Sequence, residues 1–193
     1  TPAAHDQLVA AEEKGRKLAR FADETLVDTR FQKYVDTVFG WSVEQQKQYR
    51  EGQELYRQGV AIASAAREAR EALAALTPLQ KALKRARLLG DDRTQSLALL
   101  SIGNLQAANR DEQAARDTMH EVLRLGREVR DLDSIWNALS VLYESGIRTL
   151  EWNLAEESLQ EQYLIARDAG DEQAGQRVLL QLVNLNNFRD DQR

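Results

Sequence analysis

The chain has 193 residues, a formal net charge of −5 and no cysteine. Because acidic and basic residues are interspersed, this charge disfavours a surface that neutralises nucleic-acid phosphates, and no nucleic-acid partner is expected. The lack of cysteine excludes disulfides and thiolate metal sites. Ala, Leu, Glu, Gln and Arg dominate, with only 2 Pro and 10 Gly, and this composition predicts an all-α fold.

Membrane-spanning and targeting segments are not predicted. No apolar run approaches the roughly 20 residues that a membrane span requires, and no charged start with an apolar middle marks a signal peptide. We therefore expect a cytoplasmic protein without a membrane span. The alternative is a periplasmic protein whose leader was removed ahead of Thr1.

Residues 1–77 form the first predicted part of the chain. Two helices are expected near 5–20 and 24–38, and the clearest break follows at Gly40-Trp41. The 40-residue pattern described below is weak here. This part is interpreted either as a diverged repeat or as a separate helical bundle that leads into the repeats.

Two capping patterns set the helices that come next. Ser42-Val43-Glu44-Gln45 is a capping box that opens a long helix, predicted to run from Val43 to Leu76. Thr77-Pro78-Leu79-Gln80 combines an N-cap, a Pro at the first helical position and a capping Gln. It predicts that a new helix begins there and covers 78–89.

Residues 78–193 are predicted to form repeats with a period of 40 residues and an incomplete last unit. Three matching turn motifs mark the period: Leu89-Gly90-Asp91, Val129-Arg130-Asp131 and Ala169-Gly170-Asp171. Apolar and small residues recur at the same spacing, as in Leu99, Leu139 and Leu179, in Ile102, Leu142 and Leu182, and in Ala115 and Ala155. Each unit is predicted to be a helix pair that must stack on its neighbours to bury its apolar face.

The first unit carries a family resemblance. Ile102-Gly103-Asn104-Leu105, followed by Asp111 and Ala115, resembles the tetratricopeptide repeat (TPR) in its 40-residue form. The resemblance covers about residues 92–191 and implies a right-handed α-solenoid of antiparallel helix pairs. The second unit departs from the family pattern because it carries Tyr143-Glu144 in place of the Gly-Asn step.

The third unit holds only its first helix, predicted from Asp171 to about Phe188. Its apolar side chains therefore have no second helix of the same unit to pack against. Three interpretations stay open. The helix caps the array, a second chain covers it in a homo-oligomer formed through residues 172–188, or the array originally continued.

No catalytic, metal or cofactor site is predicted. His5 and His120 have no convincing partner, and the pair of Asp117 with His120 is not matched by a second such pair, as a di-iron bundle requires. A Gly-rich phosphate loop, a nucleophile elbow and a dinucleotide fingerprint are all missing from the sequence. We expect a protein that is not an enzyme and that uses no cofactor.

The resemblance also implies a groove for a peptide. In TPR arrays the first helices of the units line the concave side, which receives an extended or helical segment. The residues that match these positions here are Asn104, Asn137, Ser140, Glu144, Arg148, Arg177, Gln181 and Asn184. Asn side chains can bond a peptide backbone, while Arg148 and Arg177 can each bind a carboxylate through two N–H groups. An acidic or C-terminal peptide is the expected ligand.

These observations lead to a functional hypothesis and two alternatives. The hypothesis is a non-enzymatic module or adaptor that binds a peptide or a segment of another protein in the groove. The first alternative is a sensory or regulatory repeat domain of a bacterial signalling system. The second is a self-assembling scaffold, motivated by the apolar face of helix 172–188.

Overall fold

The computed structural model describes residues 9–11, 13–18, 35 and 37–191. All regular structure among these residues is helical, which confirms the all-α prediction for this part of the chain. None of the described helices combines the length and the apolar character that crossing a membrane requires. The chain divides into two compact units, Thr1–Arg50 and Glu51–Arg193.

The first unit contains helical residues at 9–11, 13–18, 35 and 37–40. The remaining parts of the helices predicted over 5–20 and 24–38 lie outside the described residues. The predicted capping box is confirmed, because Gln45 N donates to Ser42 Oγ at 3.2 Å and Ser42 N donates to Gln45 Oε1 at 2.9 Å. Next to it, the buried Trp41 ring lies 5.1 Å from the Tyr49 ring.

The helix opened by this box, α1 (Val43–Ala65), is shorter than predicted. It is followed by α2 (Ala69–Ala72), a 3-10 turn (Leu73–Ala75) and α3 (Leu76–Leu89). The prediction of a single helix to Leu76 and of an N-cap at Thr77 was therefore wrong. Pro78 lies inside the first turn of α3, where backbone N–H groups have no intrahelical acceptor, so its missing N–H costs no hydrogen bond.

Five longer helices follow: α4 (Asp92–Ala108), α5 (Glu112–Val129), α6 (Leu132–Thr149), α7 (Trp152–Asp168) and α8 (Glu172–Asp191). From α3 to α8 each helix packs against the next, and α4 also packs against α6. Because turns of two or three residues join them, neighbouring helices run in opposite directions. We refer to α4, α6 and α8 as the first helices and to α3, α5 and α7 as the second helices.

The five turns between these helices share one backbone geometry. A residue with φ between 53° and 69° occupies each of them, at Gly90, Arg110, Arg130, Leu150 and Gly170. The next residue, which is always acidic, donates its N–H to a carbonyl five positions earlier at 2.8–3.0 Å. This is the bond that closes a Schellman motif. The turns therefore recur every 20 residues, inside the 40-residue repeat that the sequence predicted.

The predicted register of the repeat is confirmed in the core. Ala115 and Ala155 are both 0% exposed, and so are Met119 and Leu159 four residues later. The helices cross closely at these positions. At Gly103, a Cβ atom would lie 2.5 Å from Met119 Cε, so the glycine leaves room for the methionine. Small residues at fixed positions therefore let each second helix approach its first helix.

Candidate binding face on alternate helices

Each first helix exposes a side chain at two positions that recur with the 40-residue period. One position holds Leu97, Asn137 and Arg177, and the other holds Asn104, Glu144 and Asn184, and all six are exposed. We call the surface formed by these residues the front face. It contains five of the eight residues that the sequence predicted for a groove, and Ser140, Arg148 and Gln181 lie on the same helices.

The front face follows from helical periodicity. In α4, Ala98, Leu99, Ile102 and Leu105 are buried, so residues displaced from this stripe point to solvent. A buried hydrogen bond of 2.8 Å from Ser96 Oγ to Ser134 Oγ fixes α4 beside α6. The exposed sides of these two helices are consequently neighbours.

Arg148 was predicted to bind the carboxylate of a ligand, but in the structure it binds a carboxylate of its own chain. Its Nε donates to Glu112 Oε1 at 2.7 Å, and its Nη2 donates to Glu112 Oε2 at 3.0 Å. Ser145 Oγ also donates to Glu112 Oε2, at 2.8 Å. The hydrogen bond from Arg148 holds the pKa of Glu112 below its ordinary value. Arg148 therefore connects α6 to α5 and is removed from the candidate site.

Asn137 and Ser140 are also engaged within the chain. Asn137 Nδ2 donates to the Asp133 carbonyl at 2.8 Å. Ser140 Oγ donates to the Trp136 carbonyl at 3.0 Å and accepts a hydrogen bond of 2.8 Å from Gln162 Nε2. Gln162 is 3% exposed and sits on α7, so Ser140 helps to bind the second helix to the first. The sequence analysis missed Gln162, because an isolated Gln gives no sign that it is buried.

Four predicted residues remain available to a ligand. Asn104, Arg177, Gln181 and Asn184 are all exposed, and no hydrogen bond or ion pair within the described part of the chain engages their side chains. Glu144 is exposed and its Oε2 lies 3.5 Å from Arg148 Nη1, a distance that marks a weak contact. The candidate site therefore contains three amides, one guanidinium and one carboxylate.

Across the described ranges, no group of three or more His, Asp or Glu side chains is arranged to hold a metal ion. His120 is exposed on α5. The available residues offer amide hydrogen bonds, one positive charge and one negative charge, which suits recognition of a polar chain.

No protein-family model, curated protein or solved structure matches this chain. The likeness to TPR proteins therefore still rests on the motif around Gly103 and on the positions of Asp111 and Ala115.

Proposed function

We propose that the protein is a non-enzymatic module that binds a peptide or a segment of another protein along the front face, in the manner of a TPR-like array. The observation that carries the proposal is a set of exposed polar side chains on the first helices that have no partner in the described chain: Asn104 on α4, and Arg177, Gln181 and Asn184 on α8. Asn104 and Asn184 stand at the same position of two first helices, α4 and α8, so an extended ligand can meet an amide on each of them.

The chemistry of these groups suggests the kind of ligand. An amide side chain supplies two N–H donors and a carbonyl acceptor, so it can bind the N–H and C=O groups of a backbone without selecting a sequence. Arg177 supplies a fork of N–H donors that matches a carboxylate. With Arg148 neutralised by Glu112, the preference for an acidic or C-terminal peptide depends on Arg177.

The proposal is tested with a displayed library of random peptides presented with free C termini. We expect enriched peptides to bind the natural protein and to lose at least about tenfold in affinity for a triple variant, Asn104→Ala with Arg177→Ala and Asn184→Ala. Arg177→Gln alone should weaken free-acid peptides more than the same peptides with amidated C termini.

The matched control is Gln80→Ala with Arg124→Ala and Gln160→Ala, which removes the same kinds of groups from exposed positions of the second helices. Circular dichroism checks that both variants stay folded. Equal binding by the natural protein and the front-face variant, or an equal loss in both variants, would contradict the proposed site.

A further inference from the structure

A cleft lies between the second helices α3 and α5, with residues of α4 between them. Its volume is about 620 Å³, within the range of about 300–1,000 Å³ that is typical of small-molecule sites. Leu83, Leu99 and Ile102 line the cleft and are buried. Leu88 lines it as well, but its side chain is 71% exposed. An apolar surface therefore extends from the interior of the cleft to its rim.

The α3 side of the cleft lacks an ion pair that is present one unit later. In α5, Arg124 pairs with Glu128 at 2.7 Å. The equivalent positions of α3, 40 residues earlier, hold Lys84 and Leu88. Both residues line the cleft, and no hydrogen bond or ion pair within the described part of the chain engages Lys84. A cation and an exposed leucine thus lie one helical turn apart where the next unit has a neutralised pair.

A second difference between the units makes room for the cleft. Gly146, near the end of α6, lies so close to α7 that a Cβ atom there would be 2.8 Å from the backbone N of Ala155. The equivalent residue of α4 is Gln106, which lines the cleft and accepts a hydrogen bond of 2.8 Å from Thr118 Oγ1. Because α4 carries a long side chain at this place, α4 and α5 cannot approach there as closely as α6 and α7 do.

The shape of the cleft indicates the body of a ligand. The α4 residues that line it run from Leu99 to Gln106, which are two helical turns and therefore about 10 Å apart along the helix. The apolar side chains that line the cleft are leucines and an isoleucine, which offer non-directional contact. An extended aliphatic chain of medium length matches both this distance and this lining.

We infer that this cleft binds a small amphipathic carboxylate with an unbranched aliphatic body. The ligand carboxylate pairs with Lys84, as a carboxylate of the chain itself pairs with the equivalent cation in the next unit, and the aliphatic body covers Leu88 and the buried leucines. Arg87 also lines the cleft, but it is paired with Glu121 at 2.6 Å, so Lys84 is the charge that a ligand meets. The cleft lies between second helices and the front face lies on first helices, so binding at one does not require the other.

The probe is decanoate, titrated into the full chain and followed by isothermal titration calorimetry. We expect saturable binding. Decyltrimethylammonium, which has the same aliphatic chain and a positive head group, should bind at least about fivefold more weakly. Lys84→Gln should lower the affinity for decanoate about fivefold, because the charge partner is lost. Leu88→Glu should lower it at least about tenfold, because the new carboxylate pairs with Lys84 and an apolar contact is removed.

The matched control is Arg124→Gln, which removes an exposed cation from the equivalent position of the next second helix and should leave decanoate binding unchanged. Lys84, Leu88 and Arg124 are all exposed, and circular dichroism checks that the variants stay folded. Absence of saturable decanoate binding, equal affinity for the two probes, or an equal loss in Lys84→Gln and Arg124→Gln would each overturn the proposal. Unchanged binding by Leu88→Glu would overturn it as well.

Discussion

The two complete helix pairs, α4 with α5 and α6 with α7, share a backbone arrangement but differ in the contacts that hold it. The first pair closes over Gly103 and Met119, and Asp111 caps α5 through the N–H of Ala114. The second pair lacks this cap. The side chain of Glu151, which precedes α7, accepts no capping hydrogen bond and forms an ion pair with Arg116 of α5.

The pairs differ in polarity as well. The second pair buries Gln162, which donates to the Trp136 carbonyl at 3.1 Å and to Ser140 Oγ. The equivalent residue in the first pair is Val122, which is 0% exposed. What the pairs retain is the turn geometry and the alanine at the crossing. The difference indicates that the two units share the close approach of their paired helices at Ala115 and Ala155, whereas the other side-chain contacts between the helices differ from unit to unit.

The largest expected effect comes from the feature that both pairs share. Ala115→Arg and Ala155→Arg each place a charged side chain at a position with 0% exposure. We expect each to lower the free energy of unfolding by more than about 4 kcal/mol, because the charge is buried without a partner and the helices are forced apart. Thermal unfolding followed by circular dichroism measures this loss. The control, Ala108→Arg, changes an exposed alanine of α4 and should leave the melting temperature nearly unchanged.

The glycines of the two pairs should respond differently to alanine. At Gly146 a Cβ atom would lie 2.8 Å from the backbone N of Ala155, and backbone cannot easily move away. We expect Gly146→Ala to cost about 1–3 kcal/mol. At Gly103 the obstacle is the flexible end of Met119, and alanine gains helix propensity, so Gly103→Ala should stay within about 1 kcal/mol of the natural protein. Urea unfolding measures the free energy of unfolding of both variants, and equal losses would contradict the expected difference between a backbone obstacle and a flexible side chain.

The Glu112 carboxylate, which connects the two pairs, should make stability depend on pH. Its pKa is lowered mainly by the hydrogen bond from Arg148, so its contribution is present above the ordinary carboxyl pKa and is lost as the pH falls through the lowered value. We expect Glu112→Gln to be about 1–2 kcal/mol less stable at pH 7, and this difference to shrink below the ordinary carboxyl pKa and to vanish once the pH has fallen through the lowered pKa of Glu112.

Urea unfolding between neutral and acidic pH measures this gap. The control is the substitution Glu151→Gln. Arg116 also lowers the pKa of Glu151, but about half of the Glu151 side chain is exposed to solvent, so its loss should change stability less than the loss of Glu112. A gap for Glu112→Gln that does not change with pH would mean that the carboxylate charge contributes nothing.

The smallest effect concerns the turn inside the second pair. Leu150 has φ of 61°, a conformation that strains residues with a Cβ atom, and its side chain is 60% exposed. We expect Leu150→Gly to raise the free energy of unfolding by about 0.5 kcal/mol, since the relief of strain exceeds the added backbone entropy of the unfolded chain. Within α7, Leu164→Gly should lower the free energy of unfolding by about 1 kcal/mol, because residue 164 has helical backbone geometry. The same sign for both changes would contradict strain at Leu150.

Much of the repeat could be predicted because its signals are local. The period of 40 residues and the buried places of Ala115 and Ala155 follow from spacing alone. The shorter period of the turns was harder to see, because only two of the five left-handed residues are glycine and Glu151 replaces aspartate in one turn. The end of α1 was missed because Ala66-Arg67-Glu68 contains no glycine or proline to mark a break.

The candidate site could be predicted only as a set of positions. The side of each first helix that faces solvent follows from its apolar stripe, and Asn104, Arg177 and Asn184 are exposed as expected. The ion pair of Arg148 with Glu112 could not be predicted, because the two residues are 36 positions apart in the sequence and no local pattern joins them. Long-range ion pairs decide which polar groups stay available to a ligand.

The turns that recur every 20 residues have a consequence for how such a chain can lengthen or shorten. Each turn reverses the chain direction, so loss of one 20-residue step would keep the backbone geometry of the next turn. It would, however, place every later helix on the opposite side of the stack, and its apolar stripe would meet the wrong neighbours. Loss of two 20-residue steps would leave every later helix on its original side of the stack. We therefore expect duplication and deletion to be tolerated in even numbers of helices, in keeping with apolar positions that repeat every 40 residues while the turns repeat every 20.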